Sequence, residues 1–124
     1  MTSDGRTELL RVTVPGVQVE TVGARNQPWD RPVRMRVGEA LVDLPAPDGF
    51  AWYSVEARWF VRSDGRRRDL DNFRIKPALD ALTEAGFWPD DNIQYVRRVV
   101  SEAVLIDQHA EERLELTVYG HRQP

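Results

Sequence analysis

The chain contains no cysteine, and only two of its 124 residues are histidine. The lack of cysteine excludes disulfides, thiolate zinc sites and a cysteine nucleophile, and it fits a reducing cytoplasm, where we expect the protein. His109 and His121 do not stand at metal-ligand spacing, which argues against a histidine-based zinc enzyme. No apolar run reaches the roughly 18 residues of a membrane-spanning helix, and residues 1–11 lack the apolar region of a secretory signal. We therefore expect no membrane partner.

Lysine is almost absent, because Lys76 is the only lysine among the 17 Lys and Arg residues. A GC-rich genome that encodes arginine wherever a positive charge serves accounts for the bias. Lys76 is then a candidate for a position that needs a compact ammonium and not a bulky guanidinium fork. The net charge of −3 counts mildly against a nucleic-acid binder. Residues 62–76 are nevertheless locally positive, with six basic and three acidic side chains.

The hydrophobic pattern predicts one α+β domain over residues 1–124, in which a mixed β-sheet carries a short central helix packed on it. Strands are predicted at residues 8–14, 50–61, 93–106 and 114–119. Within the second of these, the side chains that alternate toward the core are those of Tyr53, Val55, Ala57 and Trp59.

The helical prediction is clear in one segment and ambiguous in another. Residues 77–85 carry an apolar stripe, with Pro77 suited to the first helical position and Gly86 to the position after the end. Residues 33–44 alternate as in a hairpin that turns at Gly38, but Val33, Val37, Leu41 and Leu44 also share a helical face. The alternation slightly favours the hairpin. Residues 17–32 show little period and are predicted to contain loop.

Two acidic pairs flank the predicted helix. Asp69 and Asp71 are two residues apart, so on extended chain both carboxylates leave the same face, and their oxygens suit Mg²⁺ or Mn²⁺. Asp90 and Asp91 follow the helix, and only one of two adjacent side chains would face the first pair. Three convergent carboxylates repel one another unless a divalent cation lies between them, which is the arrangement of metal-assisted phosphodiester hydrolysis. Solvated surface acids and a polar turn are the simpler interpretations.

Cationic side chains lie between and beside these acids. Lys76 would stabilise charge on a phosphate or on its leaving oxygen, unless it is an ordinary surface lysine at a helix start. The candidate phosphate-backbone ligands are Arg66, Arg67, Arg68, Arg74 and Lys76, and Arg97 and Arg98 could extend that surface. Counter-ions for the acids are the alternative. Asp80 is predicted in the first turn of the helix, and Glu84 on its solvated face.

The order of these motifs resembles the RusA family of Holliday-junction resolvases. Residues 67–82 read RRDLDNFRIKPALDAL and residues 86–91 read GFWPDD. The family carries Asp-x-Asp-Asn, a lysine, an Asp-Ala-Leu helix and a Gly-x-x-x-Asp-Asp end, in this order. The resemblance covers residues 58–100, and Leu-Glu-Leu at residues 114–116 fits the family's final strand. One residue more than usual separates Asn72 from Lys76.

The resemblance implies a homodimeric endodeoxyribonuclease that uses Mg²⁺, with Mn²⁺ as a substitute, and cuts four-way or branched DNA by paired nicks in recombination and repair. By motif position Asp69, Asp71 and Asp91 are its catalytic metal ligands and Lys76 its essential lysine. Two alternatives stay open: a branched-DNA-binding module of phage or prophage origin with decayed catalysis, and a structural domain with solvated acids. A glycosyltransferase is disfavoured, because the chain lacks room for a nucleotide-binding domain with an acceptor site.

Overall fold

The computed structural model describes residues 5–16, 29–63 and 73–124. Four strands form one sheet in the order β1-β4-β2-β3, in which β4 is antiparallel to both neighbours and β2 is parallel to β3. The predicted α+β class is confirmed. The elements in chain order are β1 (Arg6–Pro15), α1 (Asp30–Leu41), β2 (Trp52–Arg62), α2 (Lys76–Glu84), β3 (Val96–Ile106) and β4 (Arg113–His121). Across the three described ranges, no helix combines the length and the apolar character needed to cross a bilayer.

The core lies on one face of this sheet. Alternate residues of a strand point to the same face, and three paired rows of buried side chains follow from that period. The rows are Leu10–Val118–Val55, Val12–Leu116–Ala57 and Val14–Leu114–Trp59. The predicted core face of β2 is thereby confirmed. The opposite face is mostly polar, although Ser54 is buried there beside His121.

The hairpin prediction for residues 33–44 is wrong, because residues Asp30–Leu41 form α1. Val33, Val37 and Leu41 are buried at helical spacing, whereas Met35, which alternation would place on the same face, is 53% exposed. Gly38 lies inside the helix, and nothing lies within 4 Å of the position that a Cβ would take there. The glycine therefore imposes no turn, and burial of the helical stripe decides the conformation.

The helix α2 begins at Lys76 and ends at Glu84, so Pro77 is its second residue and not its first. Gly86 follows the end with φ of +87°, a value that glycine adopts without steric cost. Its N–H donates to the Thr83 carbonyl, and the Phe87 N–H donates to the Leu82 carbonyl, both at 3.0 Å. These two bonds form a Schellman motif, and the predicted role of Gly86 is confirmed.

A pair of substitutions on α1 tests the helical assignment. Val37→Ala removes two buried methyl groups and should lower the free energy of unfolding by about 1–3 kcal/mol. Met35→Ala, on the exposed side of the same helix, should change it by less than about 0.5 kcal/mol. Urea denaturation of both variants measures the difference. Equal losses at the two positions would favour the alternating hairpin.

Candidate functional site

The ammonium of Lys76 meets the carboxylate of Asp91 beside α2. Lys76 Nζ lies 2.6 Å from Asp91 Oδ2. It also lies 3.0 Å from Asp80 Oδ1, one helical turn along α2. The lysine side chain is 54% exposed and that of Asp91 21% exposed, so this cluster is open to a ligand. The extra residue between Asn72 and Lys76 does not prevent the lysine from reaching the second acidic pair.

The chain reversal after α2 positions Asp91. The Schellman motif at Gly86 ends the helix, and the buried side chains of Phe87 and Trp88 then fix the returning chain to the core. Trp88 Nε1 donates to Thr83 Oγ1 at 2.8 Å, and the Trp88 ring packs 5.1 Å from that of Tyr53. The acidic turn therefore returns beside the helix on a rigid aromatic support, and not on a free loop.

The two adjacent aspartates of this turn have different contacts. The carboxylate of Asp90 accepts a hydrogen bond from the Asp91 N–H at 2.8 Å and one from the Asn92 side-chain amide at 3.3 Å. Asp90 thus closes the turn itself. Asp91 points to Lys76. Of the two, Asp91 is therefore the one that contacts Lys76. The expectation that only one of them faces Asp69 and Asp71 stays a prediction, because those two residues lie outside the described ranges.

The two acidic residues of α2, Asp80 and Glu84, also have different partners. Asp80 is the fifth residue of the helix, so it does not lie in the first turn as predicted, because α2 begins at Lys76. Its contact with Lys76 is an i, i+4 ion pair. Glu84 is exposed as expected and pairs with Arg34 of α1.

Hydrogen bonding and charge keep the Lys76–Asp91 pair ionised. The hydrogen bond to Asp91, and next the one to Asp80, raise the pKa of Lys76 above its ordinary value. The hydrogen bond from Lys76 lowers the pKa of Asp91 below its ordinary value. At neutral pH Lys76 is consequently a cation and does not act as a general base. Asp91 is an ionised carboxylate that can accept a hydrogen bond from a cationic group.

An aromatic cluster and an ion pair fix the segment that leads into α2. The Trp59 ring lies 5.4 Å from Trp29 and 5.3 Å from Phe73. Arg74 Nη1 donates to Asp30 Oδ2 at 2.9 Å. Trp29 and Asp30 stand at the start of α1, so that helix and β2 together hold the chain immediately before Lys76.

Asp69, Asp71, Arg66, Arg67 and Arg68 lie outside the described residues, so their predicted roles stay predictions. Within the described ranges, no group of three or more His, Cys, Asp and Glu side chains could hold a metal ion. Asp91 carries carboxylate oxygens of the kind that Mg²⁺ binds, and in this structure one of them pairs with Lys76 at 2.6 Å. Its role as a metal ligand stays a prediction.

Arg97, a predicted phosphate ligand, and the buried Ser54–His121 pair have contacts of their own. The guanidinium of Arg97 lies 5.7 Å from the centre of the Trp52 ring, and its Nε donates to the Ile93 carbonyl. Ser54 Oγ lies 2.7 Å from His121 Nε2. Ser54 is fully buried and His121 stacks on Trp52 at 3.7 Å. A hydroxyl without access to substrate does not serve as a nucleophile.

The sequence interpretation missed a contribution from α1. Asp30 holds Arg74, and Arg34 lies with Arg74 and Lys76 along one groove. The signal was the spacing of Arg31 and Arg34, which share a side of a helix three residues apart. The spacing has this meaning only in a helix, and a hairpin over residues 33–44 does not produce it.

Comparison with known proteins finds local similarity to junction-cleaving nucleases. The chain is 53% identical over 55 residues to the crossover junction endodeoxyribonuclease RusA of Escherichia coli strain K12 and to that of Shigella sonnei strain Ss046. It is 51% identical over 55 residues to the crossover junction endodeoxyribonuclease of Enterobacteria phage 82. Each match covers 44% of this chain and 42% of the relative, less than half of either. No protein-family model matches the chain.

Proposed function

We propose that the chain is a Mg²⁺-dependent endodeoxyribonuclease that resolves four-way DNA junctions by hydrolysing phosphodiester bonds. The observation that carries the proposal is the contact of Lys76 with Asp91 across the return after α2. Two of the four residues that motif order assigns to catalysis thereby lie together at an exposed cluster. The names of the locally similar proteins support the same reaction on the same class of DNA.

In this proposal Asp91, Asp69 and Asp71 would together hold a divalent ion. When bound, the ion would supply Lewis-acid chemistry toward water and the phosphate. Asp91 contributes an ionised oxygen, since the pKa of its carboxyl is lowered. Lys76 contributes a fixed positive charge beside the reacting phosphate, where charge builds up on the phosphate or leaving oxygens.

The resemblance also implies a homodimer, since two matched nicks need two active sites. One sheet surface is compatible with a second copy. On the core-side face of β3, the large hydrophobic side chains of Val99 and Leu105 are exposed. We keep the homodimer as part of the proposal.

A cleavage assay tests the proposal directly. A labelled synthetic four-way junction and the matching linear duplex are incubated with the full chain in Mg²⁺, Mn²⁺ or Ca²⁺. We expect nicking of the junction in Mg²⁺ and Mn²⁺ but not in Ca²⁺ or EDTA. Binding without nicking in every metal would support the decayed binding module. The absence of both binding and nicking would support a structural domain.

The two aspartates of the acidic turn make a matched test of the metal role. Asp91→Asn should reduce the cleavage rate by more than about a hundredfold, because it removes a proposed metal ligand. Its junction binding should be equal or tighter, since one negative charge is lost. Asp90→Asn retains one oxygen, which can accept from the Asp91 N–H, and it should keep most of the activity. Equal activity in Asp91→Asn and the wild type would contradict the proposal.

Substitutions of Lys76 separate its charge from its shape. Lys76→Ala should lower kcat by about a hundred- to a thousandfold and change junction affinity much less. Since the pKa of Lys76 is raised, the lysine stays protonated through pH 9. The factor by which Lys76→Ala lowers kcat should therefore be the same at every pH from about 6 to 9. The plot of kcat against pH should keep the wild-type shape.

Lys76→Arg is the sharper variant, because it keeps the charge and changes only the geometry of the cation. We expect it to recover little of the activity that Lys76→Ala loses. Full activity of Lys76→Arg would remove the argument from the single lysine.

A further inference from the structure

A groove runs between α1 and α2 and opens at Lys76. It has a volume of about 380 Å³, within the range of about 300–1,000 Å³ that ligand sites usually have. Four cationic and two acidic side chains line it, namely Arg31, Arg34, Arg74, Lys76, Asp30 and Asp80. The lining of the interhelical groove is thus mainly cationic, and two further carboxylates, those of Glu84 and Asp91, contact its Arg34 and Lys76.

The cationic groups of this groove are positioned but not sequestered. Arg34 pairs with Glu84 on the opposite helix, Arg74 with Asp30, and Lys76 with Asp80. The Arg34–Glu84 pair is well exposed, with side chains 52% and 61% exposed, and an exposed ion pair contributes little to stability. A phosphate can therefore replace Glu84 as the partner of Arg34 at small cost. Asp30 is only 13% exposed, so we expect it to keep Arg74 and to hold that guanidinium at the groove.

We infer that the interhelical groove binds the sugar-phosphate backbone of the DNA strand next to the cleaved bond, with Arg34 of α1 as a phosphate ligand. The inference rests on the proposed function for the identity of the polyanion. Arg34 and Arg74 present guanidinium forks, which bind phosphate oxygens in pairs. The groove ends at the ammonium of Lys76, which contacts Asp91. A strand held along it passes directly to the proposed reaction site.

The same helix provides a matched control for Arg34. Arg36 is 51% exposed and Arg34 52% exposed. Arg36, however, contacts the Thr13 carbonyl and Glu39, and it does not line the groove. Substitution of either arginine by glutamine changes the net charge equally. Only Arg34→Gln should remove a contact with DNA.

The test measures junction binding by the full chain in Ca²⁺ at several salt concentrations. Arg34→Gln should weaken binding on the order of fivefold at low salt. It should also reduce the slope of log affinity against log salt by about 0.9, the value for one phosphate contact. Arg36→Gln should retain the wild-type slope. Equal slopes for the two variants would overturn the inference.

Glu84→Gln distinguishes a DNA contact from a merely structural ion pair. If Arg34 binds phosphate, loss of its competing carboxylate should leave junction binding unchanged or tighter. If Arg34 only joins α1 to α2, Glu84→Gln should weaken binding as much as Arg34→Gln, and the inference fails. Cleavage by the wild type in Mg²⁺ is measured in parallel. If Arg34→Gln weakens junction binding and lowers the salt slope but the wild type never cleaves DNA, the proposed function fails and the groove inference stands. If the wild type cleaves but Arg34→Gln binds the junction with the wild-type slope, the groove inference fails and the proposed function stands.

Discussion

The reversal of the chain after α2 is the constraint on which the candidate site depends. Lys76 and Asp91 stand at opposite ends of a helix and a turn, and they meet only because the backbone doubles back at Gly86. That return has two causes. Gly86 takes a positive φ, and the N–H groups of Gly86 and Phe87 donate to the last carbonyls of the helix. The side chains of Phe87 and Trp88 are then buried in the core. The ion pair is exposed and contributes little to stability. Local backbone chemistry and aromatic burial therefore place the charged groups, and the charged groups do not hold the fold together.

The start of α2 is held by a separate set of contacts. Trp29 and Phe73 pack against Trp59, and Asp30 binds Arg74. One helix terminus and one buried strand thus fix the segment that emerges at Lys76. Support from the rigid core on both sides of α2 suits a site whose function requires groups to be held within a fraction of an ångström.

Local signals in the sequence were sufficient for much of this architecture. Period-two alternation predicted the core face of β2, and the Pro77 and Gly86 positions bracketed α2 to within a residue. The failure at residues 33–44 has a physical cause. Val33 and Val37 satisfy both periods, whereas Met35 satisfies only the alternating one. The burial of Leu41 with Val33 and Val37, and the exposure of Met35, decide for the helix. The Lys76–Asp91 contact and the role of Asp30 depend on tertiary packing, which no short motif encodes. The motif order indicated which side chains to examine, and the fold determined which of them touch.

We propose that Asp91, Asp69 and Asp71 would together hold one divalent ion, and this is the claim that most needs a test. Titration of the DNA-free chain with Mn²⁺, followed by electron paramagnetic resonance of the free ion, tests it without dependence on catalysis. The claim predicts saturable binding that Asp69→Asn, Asp71→Asn and Asp91→Asn each weaken strongly, while Asp90→Asn leaves it intact. Mn²⁺ binding that is the same in Asp91→Asn as in the wild type would contradict it.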